Sequence, residues 1–255
     1  MNALRPFAVA ALVLAAACSG EKQAAPSGPP ANAKRVDESK AGDVAGRVTI
    51  EGAVPANPQI QMSAEYCLHE NPSGAAFENF VPNSGGLENV FVYVKDGLRD
   101  YYFDVPTEPV KLDQQGCRYR PHVLGVRAGQ KLAISNSDDT MHNVHALPSV
   151  NTQWNQSQAL KNIVNEKVFT TREVMVPFKC DVHNWMHAYV GVMDHPYFAV
   201  THEGGRFELK NVPAGTYTVE AWHEKLGTQT QSVTLGEKES KVITFTFKAP
   251  APGTN

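Results

Sequence analysis

Alternating apolar runs, closely spaced turns and the absence of any long helical period together predict an all-β fold. Residues 88–95 (ENVFVYVK) are dense in Val, Phe and Tyr, and residues 206–210 (RFELK) and 242–248 (VITFTFK) alternate as half-buried strands do. Nineteen glycines and 17 prolines suit many turns and short strands better than long helices. The pattern shifts near residue 196, where shorter strands with regular turns begin. The expected division is therefore an enlarged β-sandwich over residues 43–195 and a smaller one over 196–250, with 251–255 as a tail.

The charge balance, 23 Lys+Arg against 26 Asp+Glu, gives no steering toward nucleic acid or an acidic membrane surface. The N-terminus has a short basic segment, MNALRPF, then an apolar run, AVAALVLAAA, too short to cross a bilayer as a mature helix. Cys18 follows three alanines. This arrangement resembles the lipobox of bacterial lipoproteins, although Leu14 stands four residues before the cysteine rather than three. The resemblance implies that residues 1–17 are a signal peptide and Cys18 a lipidation site. It also implies sorting by Ser19 to the periplasmic side of the outer membrane. Ordinary cleavage after Ala17, giving a soluble periplasmic protein, and an inner-membrane anchor are the alternatives. Residues 18–42 carry no apolar period and are expected to be a flexible tether.

Along the chain, residues 44–50 (VAGRVTI) form the first expected strand. Residues 59–87 are expected to be an ordered loop pinned by Cys67, and residues 148–167 a polar excursion with one short helical turn. Residues 168–180 (VFTTREVMVPFKC) alternate as a strand feeding Cys180.

Immediately after that strand comes FKCDVHNWMHAY, with Cys180, His183, Met186 and His187 inside eight residues. Upstream, NSDDTMHNVH supplies His142 and His145. Thiolate, imidazole and thioether together are the ligand set of a soft transition-metal site, copper above all. With Cys18 assigned to lipid, three cysteines remain, and an odd count in an oxidising compartment leaves one thiol free. Arithmetic allows any pairing. The metal-ligand setting of Cys180 selects a Cys67–Cys117 disulfide.

The run through Tyr119, Pro121, Val126 and Gly129, then LAIS, Asn136 and the His142-Asn143-Val144 triplet, resembles the cupredoxin family. That resemblance covers roughly residues 110–194. It implies a Greek-key sandwich holding one mononuclear copper through His142, Cys180 and His183, with a weak axial methionine. Met186 is the first choice for the axial position, two residues earlier than the family spacing, where Ala188 stands. His187, then Met193, are the alternatives, and His145 would compete with His142 or support it. The resemblance further implies electron exchange with a redox protein such as a c-type cytochrome or oxidase, and the loop position of Trp185 puts it at the expected docking surface. The segment GRFELKNVPAGTYTVEAWHEKLG resembles the carboxypeptidase-regulatory or Cna-B-like sandwich, an immunoglobulin-like or transthyretin-like module. It implies a fold, and a role as spacer or docking module, but no chemistry.

Zinc is disfavoured by the lack of a second thiolate at suitable spacing, and a binuclear copper loop by Asn184. No phosphate loop, HExxH motif or Ser-His-Asp order points to an enzyme. Beyond the copper set, the sequence leaves open a second metal at His69 or His122, and a separate substrate-binding copper among these two, His195, His202 and His223. His122 is expected to point outward or bond locally, and His223 to bond to a turn or to Glu224. A copper-storage protein and a structural or carbohydrate-binding surface lipoprotein are the competing functional classes.

Overall fold

The computed structural model describes residues 32–251. The all-β expectation holds. Among the described residues only a six-residue helix, Glu65–Glu70, and a short 3-10 turn, Glu203–Gly205, are helical.

Residues 110–193 form one sandwich. Its larger sheet has the order Trp154–Gln158, His142–Ala146, Glu173–Lys179, His187–Met193, Val123–Arg127. The facing sheet has the order Val164–Val168, Lys131–Asn136, Val110–Gln114, Tyr119–Arg120. The pairs His187–Met193 with Val123–Arg127 and Val110–Gln114 with Lys131–Asn136 are parallel, so each is joined by a crossover connection rather than a hairpin. Strand alternation builds the core: in Lys131–Asn136 the side chains of Leu132, Ile134 and Asn136 are buried and the intervening ones are not.

The second sandwich packs the sheet Arg206–Val212, Gly42–Glu51, Ser240–Lys248 against Phe198–Val200, Phe91–Asp96, Gly215–His223, Gly227–Leu235. This corrects the expected division at residue 196. Gly42–Glu51 is the middle strand of one sheet, and Phe91–Asp96 is an inner strand of the other. The sequence pattern assigns both to the first sandwich. Val44, Val48, Val92 and Val94 instead share a core with Phe207, Phe245 and Phe247. Pairing across some 200 residues leaves no trace in local periodicity.

Two further segments differ from expectation. Residues 148–167 hold no helical turn but two strands, Trp154–Gln158 and Val164–Val168, each at a sheet edge. Edge strands are largely polar, which hid them. Residues 59–87, expected as loop, include the helix Glu65–Glu70. Its Cys67 is buried and disulfide-bonded to Cys117, with Cα atoms 5.6 Å apart.

The two sandwiches meet through a notch made by glycines. Gly191 and Gly125 lie opposite each other on adjacent strands, and a Cβ on Gly191 would come within 2.5 Å of the Phe91 ring. One on Gly125 would come within 2.3 Å of Phe198. Phe91 and Phe198 belong to the second sandwich and stack with centroids 5.6 Å apart.

Candidate metal centre

The site is assembled from two loops at one end of the first sandwich. His142 opens the strand His142–Ala146, and Cys180 directly follows the strand Glu173–Lys179, its neighbour in the sheet. The chain then turns tightly through residues 180–186: the Cys180 N–H donates to the Met186 carbonyl at 3.1 Å, and the Met186 N–H to the His183 carbonyl at 2.9 Å. The short C-x-x-H spacing is thus closed into one turn, which aims Cys180 and His183 at the same point.

His142, Cys180 and His183 present ligand atoms that all lie within 4.8 Å of one another, and all three residues are buried. The Nδ1 atoms of His142 and His183 are 2.9 Å apart. Two ring nitrogens and one sulfur are therefore gathered together, shielded from water. Among the described residues Cys180 is the one free cysteine. Burial pushes its thiol up, but hydrogen bonds from His142 and His183 outweigh burial and hold it at about 6. The thiolate that a soft metal requires is thus the favoured form at neutral pH.

Supporting groups orient the ligands. The Nε2 of His142 bonds the buried Asp138 carboxylate at 2.9 Å. Burial lowers the pKa of His142, yet Asp138 and Cys180 together raise it above the ordinary histidine value. Asp138 also accepts the N–H groups of Gly116 at 2.7 Å and Cys117 at 2.8 Å. Asn143 joins the two ligand loops: its Oδ1 accepts the Asp181 N–H at 2.6 Å and lies 3.3 Å from Cys180 Sγ. Tyr119 donates from its hydroxyl to the Asn143 carbonyl at 2.7 Å and the Lys179 carbonyl at 3.0 Å. The Trp185 indole N–H donates to the Cys117 carbonyl at 3.1 Å, tying the loop to the disulfide.

The other sequence candidates separate clearly. Met186 is buried in the same apolar cluster as Cys180, on the ligand loop. His145 points elsewhere: its Nδ1 bonds Asp181 at 2.9 Å and its Nε2 meets Gln153 at 2.7 Å. Met193 belongs to the cluster between the sandwiches, with Phe91 and Met175. His187 turns away toward Glu224, which lies 3.8 Å from its Nε2. Trp185, expected at a docking surface, is buried because its indole is committed to Cys117. His122 is also buried rather than outward, bonded to Glu224 at 2.5 Å. His69 is exposed beside Glu70, and His195 is buried with its Nε2 donating to the Val94 carbonyl at 2.8 Å. His202 bonds Arg206 through its backbone. His223 accepts the Lys225 N–H at 3.2 Å, the turn contact expected of it. Cys18 lies outside the described residues.

Asp138 went unnoticed in the sequence because Asp139 beside it is chemically identical. Asn143 stood in the quoted triplet, but its bridging role depends on the distant Asp181. Another grouping at the same place, Cys117 with Asp138 and His142, offers no thiolate, since Cys117 is in the disulfide.

No protein-family model matches the chain, and no curated protein matches it. Among solved structures, a point mutant of amicyanin in its Cu(I) form is 21% identical over 35% of this chain and 86% of that one, with a TM-score of 0.30. A second amicyanin mutant, in its oxidised form, is 22% identical over 36% of this chain and 88% of that one, with a TM-score of 0.31. A purple cupredoxin from Nitrosopumilus maritimus is 18% identical over 32% of this chain and 98% of that one, with a TM-score of 0.29. What the site can hold follows from its own side chains.

Proposed function

We propose that the chain is a copper-binding one-electron carrier or redox subunit, held by lipid on Cys18 at the periplasmic side of the outer membrane. One observation carries the reading: His142, Cys180 and His183 converge, buried, at one sandwich end. Two imidazoles and a thiolate suit copper in both oxidation states, and Met186 is the proposed axial donor. A bound copper ion would supply reversible one-electron chemistry.

The protein's own part is to hold the donors still. Asp138 fixes the His142 ring through Nε2, leaving Nδ1 to face the site. Asn143 and the hydrogen-bonded turn fix Cys180. Such a frame keeps the geometry constant when the charge changes. The proposed partner is a redox protein such as a c-type cytochrome. Met141 and Val182 are exposed and directly precede His142 and His183, and they are the apolar side chains proposed to meet that partner.

The deciding measurement is the absorption spectrum of the copper-loaded full chain. An intense visible thiolate-to-copper band, absent in Cys180→Ser, is the expected result. Equal copper retention and no such band in the wild type would sink the reading. The anchor is tested by fatty-acid labelling, expected in the wild type and lost in Cys18→Ser. Labelling that persists in the variant would remove it.

A further inference from the structure

His122, His187 and Glu224 form a second cluster, whose ligand atoms all lie within 4.8 Å of one another. His122 comes from the segment preceding the strand Val123–Arg127, and His187 opens His187–Met193. Glu224 comes from the turn after Gly215–His223 of the other sandwich. The cluster therefore spans the two sandwiches.

Both imidazoles are oriented alike. His122 Nδ1 lies 3.2 Å from the His187 carbonyl, and His187 Nδ1 lies 3.1 Å from the Trp185 carbonyl. A carbonyl oxygen only accepts, so each Nδ1 carries its proton and donates it. In the neutral ring this leaves Nε2 with a lone pair, and both Nε2 atoms face Glu224, at 2.5 Å for His122 and 3.8 Å for His187. Lone pairs set against a buried carboxylate repel unless positive charge lies among them. The carboxylate is 3% exposed. Its other neighbours are the Tyr189 hydroxyl at 3.3 Å and the half-exposed Lys225 ammonium at 3.7 Å, the latter beyond hydrogen-bond reach.

We propose that His122 Nε2, His187 Nε2 and the Glu224 carboxylate bind a divalent transition-metal ion of the zinc class, separate from the copper centre. Two imidazoles and one carboxylate are a common protein donor set for such ions, with the backbone-bonded Nδ1–H groups fixing the rings as supporting carbonyls do in metal sites. His122 and His187 border a cleft lined also by Phe77, Glu78 and Arg118, through which an ion and solvent would reach the cluster. The Phe77 ring stacks on His187 with centroids 5.8 Å apart, holding its orientation from the opposite face. An ion there would join the two sandwiches through one bond from Glu224 and two from the histidines.

The test uses the full chain first loaded with one equivalent of copper, then equilibrated with zinc chloride and freed of excess by gel filtration. Elemental analysis is expected to return one zinc per chain beside the copper. In Glu224→Gln and in His187→Gln the zinc affinity is expected to fall at least ~10-fold with copper content unchanged. The second variant guards against misfolding, since His187 is a quarter exposed (26%). Zinc absent from the wild type would overturn the proposal. Zinc bound equally by both variants would overturn it as well.

Discussion

Asp138 is where a single side chain decides most about the metal centre. Its carboxylate is buried and receives two backbone N–H groups besides His142. Burial pushes its pKa up, but the His142 bond and the two N–H groups prevail and hold it below the usual carboxylate range. It stays ionised, which both orients the His142 ring and strengthens its Nδ1 as a donor. Asp138→Asn keeps the shape and removes the charge. Copper affinity, measured by competition with a chelator, is expected to fall about 10- to 100-fold while the visible thiolate band persists. An unchanged affinity would show that the carboxylate merely shapes the loop.

The residue scale also marks the limit of what the sequence could disclose. Cys180 and His183 were legible because a tight turn brings neighbours in sequence together in space. His142 was legible through its setting after an apolar strand and Asn136. Asp138 was not, since burial chose between two adjacent aspartates. Glu224 escaped as a partner of His122 and His187 because 102 residues separate it from His122.

Among the elements, the short helix Glu65–Glu70 and its disulfide reach furthest into the site. Cys117 offers its N–H to Asp138 and its carbonyl to Trp185, so the bridge to Cys67 braces both the carboxylate and the ligand loop. The bridge closes a separation of 50 residues. In the chain-entropy account such a loop contributes about 4 kcal/mol. Urea unfolding of the Cys67→Ala/Cys117→Ala double variant is expected to show a loss of that order, together with weaker copper retention. A loss below about 1 kcal/mol would contradict the bracing role. The sequence pointed to this pairing but not to the helix, whose six residues are too short for a period of 3.6 to register.

On the scale of the whole molecule, the two sandwiches are interleaved rather than strung in sequence. The chain starts the second sandwich with Gly42–Glu51, contributes residues 60–77 to the flank of the first, and returns for Phe91–Asp96. It then builds the first sandwich before completing the second. Residues 196–250, which looked like a module in the sequence, lack an inner strand of each sheet. Expressed alone, that fragment is expected to give the circular dichroism and narrow amide dispersion of an unfolded chain, whereas residues 42–251 fold. A folded 196–250 fragment would refute the interleaving. The seam between the sandwiches depends equally on non-local fit, since the notch at Gly125 and Gly191 has meaning only once Phe91 and Phe198 fill it.

The pairing of Gly42 with Val212 sets the start of the strand Gly42–Glu51 at the opposite end of the body from the candidate metal loop. Gly42 lies beside the turn from Val212 to Gly215, where the strand Gly215–His223 begins. That strand runs nine residues, roughly 25–30 Å, before it reaches Glu224. There Glu224 meets His187, one residue beyond Met186 on the ligand loop. If the proposed lipid on Cys18 anchors the chain, the body would carry the candidate metal loop on its far side, turned away from the anchor and toward whatever diffuses past.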